Sequence, residues 1–264
     1  ELKLKLKRKE DLMLANYHTH TRRCNHATGS EREYIENAIK AGMKILGFSD
    51  HAPQFYKGGF VSGMRMRTHE APEYVSCIKK LAREYKNDIK IYVGLEAEYF
   101  PDIFHKLQNF CRDYGVDYMI MGQHFLDSEE YGIYVGAPHS EPELLRRYTD
   151  QVTEGLKTGA FKYLAHPDVF NFTGDTAVYE KEMTRLCNEL KKMNIPLEVN
   201  MLGLEDGRYY PSNRFFKLAK QTGNDVIIGC DAHRPTELSN TEMQKKAYDF
   251  AEKLGFDPLK EIII

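Results

Sequence analysis

Three histidines near the amino terminus, His18, His20 and His26, open the set of residues able to do chemistry in this chain. The first two sit in the stretch Asn16-Tyr17-His18-Thr19-His20. Side chains two apart in a strand share a face, so both imidazoles can aim at one point. That is a metal-binding geometry, although a single His-x-His is often incidental, and the argument rests on what recurs downstream. Ser49-Asp50-His51, Gly94-Leu95-Glu96, Gly122-Gln123-His124, Ala165-His166-Pro167-Asp168 and Asp231-Ala232-His233 each put possible ligands at the end of an apolar, strand-like run. Seven imidazoles (His18, His20, His26, His51, His124, His166, His233) and two carboxylates (Glu96, Asp231) suit Zn, Fe or Mn better than Ca or Mg, which favour all-oxygen shells.

Those residues need elements to carry them. Ser30 and Glu33 form a capping-box pattern ahead of a helix that Gly42 would stop. Lys44 to Phe48 reads as a strand running into Ser49-Asp50-His51, followed by a long loop from Ala52 to about Thr68. Pro72 to Tyr85 has helical spacing, and Ile89 to Leu95 is the next strand. The alternation continues with helix 103–114, strand 118–121, a second capping-box pattern at Ser140 and Glu143 before a helix ending near Lys157, and strand 163–165. Helix 178–192, strand 196–200, a final helix 213–221 and strand 225–229 complete it. Seven strands alternating with helices imply parallel pairing through right-handed crossovers, and closure removes exposed edges. The expectation is an α/β protein, a seven-stranded (β/α)7 barrel in one domain over 1–264, with the Leu/Lys-alternating residues 1–10 peripheral. Active sites of such barrels lie at the carboxyl ends of the strands, where the candidate ligands fall. A doubly wound open sheet would instead gather its ligand at one switch point.

Composition narrows the function. The 39 acidic residues against 37 basic ones give a formal charge of −2, which argues against a bulk nucleic-acid partner. Cys24, Cys77, Cys111, Cys187 and Cys230 are odd in number, widely spaced and without a Cys-x-x-Cys. They read as free thiols in a reducing compartment, hence a cytoplasmic location. No secretion signal is evident, and no apolar run approaches the ~20 residues of a membrane span, so a soluble protein without a membrane partner is expected.

Order and spacing of Tyr17-His18-Thr19-His20-Thr21, Gly47-Phe48-Ser49-Asp50-His51-Ala52-Pro53, Gly94-Leu95-Glu96, Gly122-Gln123-His124-Phe125, His166-Pro167-Asp168 and Gly229-Cys230-Asp231-Ala232-His233 resemble the polymerase and histidinol phosphatase (PHP) superfamily, and within it the histidinol-phosphate phosphatase branch. The resemblance covers nearly the whole chain. It implies a distorted (β/α)7 barrel with two or three divalent metals: one on His18, His20, Glu96 and Asp231, a second on Glu96, His124 and His166, a third on His26, His51 and His233. Cys230 stands where the family commonly has Ser. Metals ~3.5–4 Å apart can share a hydroxide of near-neutral pKa and hold phosphoryl oxygens during in-line attack. Glu96, able to offer one oxygen to each of two ions, is the natural bridge, and Asp231 and His233 are placed with it in the catalytic group. No Cys or Ser-His-Asp nucleophile is then required.

As stray polar groups inside a barrel, His18, His20 and Glu96 would each cost roughly several kcal/mol. Asp50 points to the other side of its strand and reads as a carboxylate behind the ligands or a turn residue. Asp168 reads as a proton shuttle, a carboxylate behind the ligands, or a turn residue after Pro167. His69, His105 and His139 match no ligand position and default to surface.

A phosphate monoester also calls for guanidinium groups. Arg22, Arg23, Arg65, Arg67, Arg208 and Arg234 lie in loops at the strand carboxyl ends, with two of the six expected to touch substrate. The 52–68 loop is either a mobile lid or a packed wall, and 200–212 is a second wall. The function expected is hydrolysis of L-histidinol phosphate to L-histidinol and phosphate in histidine biosynthesis. The competing readings are a nuclease or phosphotyrosine phosphatase on the same scaffold, a catalytically silent metal-binding or partner-binding barrel, and amidohydrolase-type deamination.

Overall fold

The structure, a computed structural model, describes residues 13–264; the expectation for residues 1–10 falls outside them. Seven parallel strands form a nearly closed barrel with helices between them: β1 (Ala15–Asn16), β2 (Ile45–His51), β3 (Lys90–Ala97), β4 (Tyr118–Met121), β7 (Phe161–Leu164), β8 (Leu197–Asn200) and β9 (Val226–Gly229), neighbours in that order. The remaining gap, between the chain after β1 and the chain after β9, is bridged by Thr19 and Ala232. Ala232 N donates to His18 O (3.2 Å) and His20 N to Ala232 O (2.9 Å). The buried Asn16 side chain adds to the seam, Oδ1 accepting from Cys230 N at 2.8 Å.

The period of two along each strand sorts side chains between the barrel's inside and its helical shell. Met119 and Met121, Val226 and Ile228, and Leu197 and Val199 join the core under the helices. Their neighbours Tyr118, Ile120, Tyr163 and Ile227 pack with Tyr17 in a separate cluster, against which Leu259, Ile262 and Ile264 rest. The same parity puts Glu96 and Glu198 inside the barrel, in register with Ile120 and Ile227. Burying an apolar side chain on either layer contributes ~1.5–3 kcal/mol.

The helices are α1 (Glu31–Lys40), α2 (Ala71–Glu84), α3 (Pro101–Tyr114), α4 (Pro142–Lys157), α5 (Thr176–Met193), α6 (Met201–Glu205), α7 (Asn213–Gln221), α8 (Pro235–Leu238) and α9 (Thr241–Lys253). The Ser30–Glu33 capping box on α1 is present in both directions, a feature that stabilises a helix by ~1 kcal/mol. Its counterpart at Ser140 and Glu143 is not: Glu141 occupies the N-cap without a side-chain bond, because Pro142 takes the first helical position and sets the start by its own φ. Sequence periodicity also missed α8 and α9, which follow β9. It missed α6, and the antiparallel hairpin β5 (Phe125–Leu126) and β6 (Ile133–Tyr134) after β4 as well. Residues 52–70 contain no regular element.

Candidate metal centre

Five of the candidate ligands converge around one carboxylate. Glu96, at the end of β3, is buried, and its Oε1 faces His166 Nε2 (2.7 Å) and His124 Nε2 (3.7 Å). Its Oε2 faces His51 Nδ1 (2.9 Å), His20 Nε2 (3.5 Å) and His18 Nε2 (3.6 Å). Asp231 Oδ1 lies 3.1 Å from His20 Nε2, 3.4 Å from His18 Nε2 and 3.6 Å from His233 Nδ1. The His233 ring stacks on His20 (centroids 4.1 Å apart) and on His26 (4.8 Å). His26 comes from the loop before α1, and its Nδ1 donates to Cys24 O at 2.7 Å, which leaves Nε2 available.

Backbone geometry sets this convergence. His166 and Asp231, directly after β7 and β9, have φ of +28° and +51°, left-handed conformations that cost non-glycine residues ~1–3 kcal/mol and cluster at functional sites. Gly122, after β4, leaves room for Glu96: a Cβ there would fall 1.9 Å from Oε1.

The donor set fits divalent cations. Glu96 Oε2 is buried and makes no hydrogen bond although three imidazoles surround it, and the Nδ1 atoms of His124 and His166 are likewise without partners. His18 Nε2 and His20 Nε2 approach within 3.2 Å. Lone pairs so placed repel unless a proton or a cation lies between them. Burial by itself would raise the Glu96 carboxyl. Instead His51, His124 and His18, with the hydrogen bond from His166, hold it well below the usual carboxylate range. Asp231 is held low in the same way by His18 and His20. Burial pushes His51 down to about 3, His233 to about 4 and His124 well below its ordinary value, the direction that favours ligation. Metal-competent triads include His18–His20–Asp231, His18–Glu96–His166, His20–His51–His233, Cys24–His26–His233 and His20–Cys24–Asp50. In these triads His51 and His233 group with His20, and His18 groups with His166 as well as with His20.

The other candidates separate. Asp50 stands behind the ligands, its Oδ1 3.4 Å from His20 Nδ1 and its Oδ2 accepting from Thr21 N and Oγ1. Asp168 does not line the cavity. Its Oδ2 accepts from Ser212 N at 2.6 Å, which ties it to the 206–212 wall, and burial raises its carboxyl to about 6. Arg208 and Arg234 line a cavity of about 390 Å³ over the cluster, together with Asp206, Glu237, Tyr134 and Tyr210. Arg65 is no part of it. It is buried between Glu98 (Nη2 to Oε2, 2.5 Å) and Glu129 (Nε to Oε2, 2.6 Å), because a guanidinium in the interior needs carboxylates about it. Arg67 borders a separate cavity behind the 52–70 loop, Arg22 is exposed outside the lining, and Arg23 pairs with Glu31 and Glu73. His69 and His105 are exposed, while His139 is half-buried with Nε2 donating to Tyr134 O.

Sequence reasoning missed three polar groups packed around the ligands. Cys24 is buried beside His20 and His26, which lower its thiol against the effect of burial. Glu98 accepts from His124 N and Phe125 N, each at 3.0 Å. Glu198 accepts from His18 Nδ1 at 2.8 Å and from His166 N at 2.9 Å. Period two offered a signal for both glutamates: Glu98 is two residues after Glu96, and Glu198 alternates with the apolar Leu197 and Val199.

A parallel barrel whose strand ends meet in a carboxylate-bridged histidine cluster defines a class, the metal-binding hydrolase barrels. Residues 16–202 match the model of the PHP domain, and the chain belongs to that family. It is 28% identical to a probable histidinol-phosphatase of Deinococcus radiodurans over 85% of this chain and 88% of the relative. It is 24% identical to the histidinol-phosphatase of Bacillus subtilis over 84% of this chain and 94% of the relative. The crystal structure of histidinol phosphate phosphatase from Lactococcus lactis, complexed with zinc, L-histidinol and phosphate, shares the fold at a TM-score of 0.72 and 21% identity, covering 96% of this chain and 99% of that one.

Proposed function

We propose that this protein is a metal-dependent phosphatase that hydrolyses L-histidinol phosphate to L-histidinol and phosphate in histidine biosynthesis. The observation that carries the proposal is Glu96, presenting one oxygen to His124 and His166 and the other to His18, His20 and His51, on the floor of the cavity reached by Arg208 and Arg234. The names of the relatives point to the same substrate. We assign His18, His20, His26, His51, Glu96, His124, His166, Asp231 and His233 to two or three ions of zinc, iron or manganese. Such ions, when bound, supply positive charge to the phosphoryl oxygens and lower the pKa of water.

The chain's own groups do the rest. Arg208, restrained by Asp206 (Nη2 to Oδ2, 2.8 Å) and by the Tyr210 hydroxyl (2.7 Å), and Arg234, restrained by Glu237 (2.6 Å), orient the phosphoryl group. The same two carboxylates suit the substrate amine, and the rings of Tyr134 and Tyr210 suit its imidazole. Asp168 is a positioning residue. It holds Ser212 N, and with it the wall that carries Arg208 and Tyr210. The five cysteines, all free, favour a cytoplasmic setting. No helix among the described residues is long and apolar enough to cross a membrane.

The test is a comparison of kcat/KM for histidinol phosphate, p-nitrophenyl phosphate, a phosphotyrosine peptide and single-stranded DNA. Binding energy from parts of the substrate remote from phosphorus lowers the barrier only for the cognate ester. Histidinol phosphate is expected to lead p-nitrophenyl phosphate by on the order of 100-fold, roughly 3 kcal/mol. Equal rates, or preference for DNA or phosphotyrosine, would refute the substrate and leave the metallophosphatase reading standing.

A further inference from the structure

We infer that Glu198, acting with Asn200, is a positioning residue that sets three ligands of the metal centre at once; the inference rests on the metal-centre reading above. Glu198 is wholly buried on β8, the strand that contributes none of the nine proposed ligands. Its Oε1 lies 2.8 Å from His18 Nδ1. A carboxylate can only accept there, so the proton belongs on Nδ1 and the Nε2 lone pair is directed at the cluster, 3.4 Å from Asp231 Oδ1 and 3.6 Å from Glu96 Oε2.

The other oxygen, Oε2, accepts from His166 N at 2.9 Å, on the residue whose φ of +28° turns its ring back toward Glu96. Oε2 also accepts from Asn200 Nδ2 at 2.9 Å, and the same amide donates to Asp231 Oδ2 at 3.0 Å. Asn200 cannot turn away, because its Oδ1 accepts from Gly203 N (2.8 Å) at the start of α6. One carboxylate thus fixes a ring tautomer on the chain after β1 and a strained backbone after β7. Through one amide it also aims a carboxylate after β9.

An ordinary buried carboxylate of the barrel wall would be neutralised by a cation. Among the described residues Glu198 pairs with no Lys or Arg; its only ion-pair partner is His18. The space it fills is kept by Gly229, where a Cβ would stand 1.8 Å from Oε1.

The test uses Glu198→Gln, which keeps the shape but replaces one acceptor oxygen with a donor, so that His18 Nδ1 must accept and its proton moves to Nε2. Zn²⁺ affinity is measured by competition with a chromophoric chelator, Zn²⁺ content by elemental analysis, and folding by thermal melting of the metal-free chain. Val199→Ala, at the neighbouring buried position on the helical side of β8, reports what a merely structural lesion of this strand does. Glu198→Gln is expected to lose Zn²⁺ affinity by about 10- to 100-fold with a near-wild-type melting temperature of the metal-free chain. Val199→Ala should melt lower and bind Zn²⁺ as wild type does. Wild-type affinity in Glu198→Gln, or an equal loss in Val199→Ala, overturns the assignment. Should Glu198→Gln fail to fold, ¹⁵N-histidine spectra of the metal-free wild type decide: a His18 proton on Nδ1 is expected, and one on Nε2 alone refutes the inference. A wild-type chain that binds no Zn²⁺ would remove the metal centre itself, a failure distinct from that of Glu198.

Discussion

His166 Nε2, carried just beyond β7, lies 2.7 Å from Glu96 Oε1 at the end of β3, with β4 between the two strands. The second oxygen of the same carboxylate lies 2.9 Å from His51 Nδ1 on the opposite side. Glu96→Ala would separate the two sets of imidazoles. Turnover should fall by on the order of 10³-fold or more, about 4 kcal/mol of transition-state stabilisation, and elemental analysis should find fewer metal ions than the two or three expected of wild type. Retained activity with one tightly held ion would sink the bridging role.

Gly122→Ala tests the same carboxylate without altering it. The added methyl would fall 1.9 Å from Glu96 Oε1, so Glu96 has to move. Overpacking of this kind costs ~1–3 kcal/mol, and here the displacement should appear as lost metal and activity as well as lowered stability. A variant as active as wild type would mean that Glu96 tolerates another position.

Arg65 is expected to matter for stability and not for phosphate binding. Removing it by Arg65→Met leaves Glu98 buried beside Glu129 without their shared cation. Loss of one partner from a buried pair costs ~3–5 kcal/mol, readable by urea denaturation. Because Glu98 also holds His124 N and Phe125 N, kcat should fall more than KM rises. A raised KM with unchanged stability would return Arg65 to the substrate.

The partner of that ion pair carries a pH signature. Burial acts to raise the Glu129 carboxyl, but Arg65, Ser62 and Tyr56 outweigh it and lower it from 4.5. A carboxyl lowered on folding contributes stability that is fully present above its unfolded value and is lost as pH falls through the folded value. The stability gap between wild type and Glu129→Gln, measured on metal-free chains, should therefore be widest above pH ~5 and close on acidification. A gap that widens toward acid would contradict the ion pair.

Arg208→Ala should leave the fold intact and lower kcat/KM for a phosphate monoester by about 10- to 100-fold, in keeping with ~1.5–3 kcal/mol for a hydrogen bond to a charged group. Arg22→Ala and Arg67→Ala, outside the cavity lining, should change it little. The reverse ranking would relocate the phosphate site.

The barrel was legible because its cues are local. A period of two in the strands, a period near four in the helices and polar residues at strand ends are written within windows of ten or so residues, and they yielded β2, β3, β4, β7, β8 and β9 within a few positions. Ligand type was legible for a similar reason, since histidines recurring after one apolar run after another are hard to account for otherwise. Whether a given charge faces metal, substrate or another charge depends on which strand lies beside it, and closure of the barrel decides that. Arg65 and Arg208 read alike as loop arginines, but the hairpin loop after β5 brings Glu129 to one and leaves the other at the cavity. Glu198 looked like an ordinary strand residue. Only the placement of β8 beside β9, and closure of the chain after β9 onto the chain after β1, put its carboxylate under His18, a residue 180 positions away. No pattern along a single element encodes that contact, because its partners meet only after seven strands have been laid side by side.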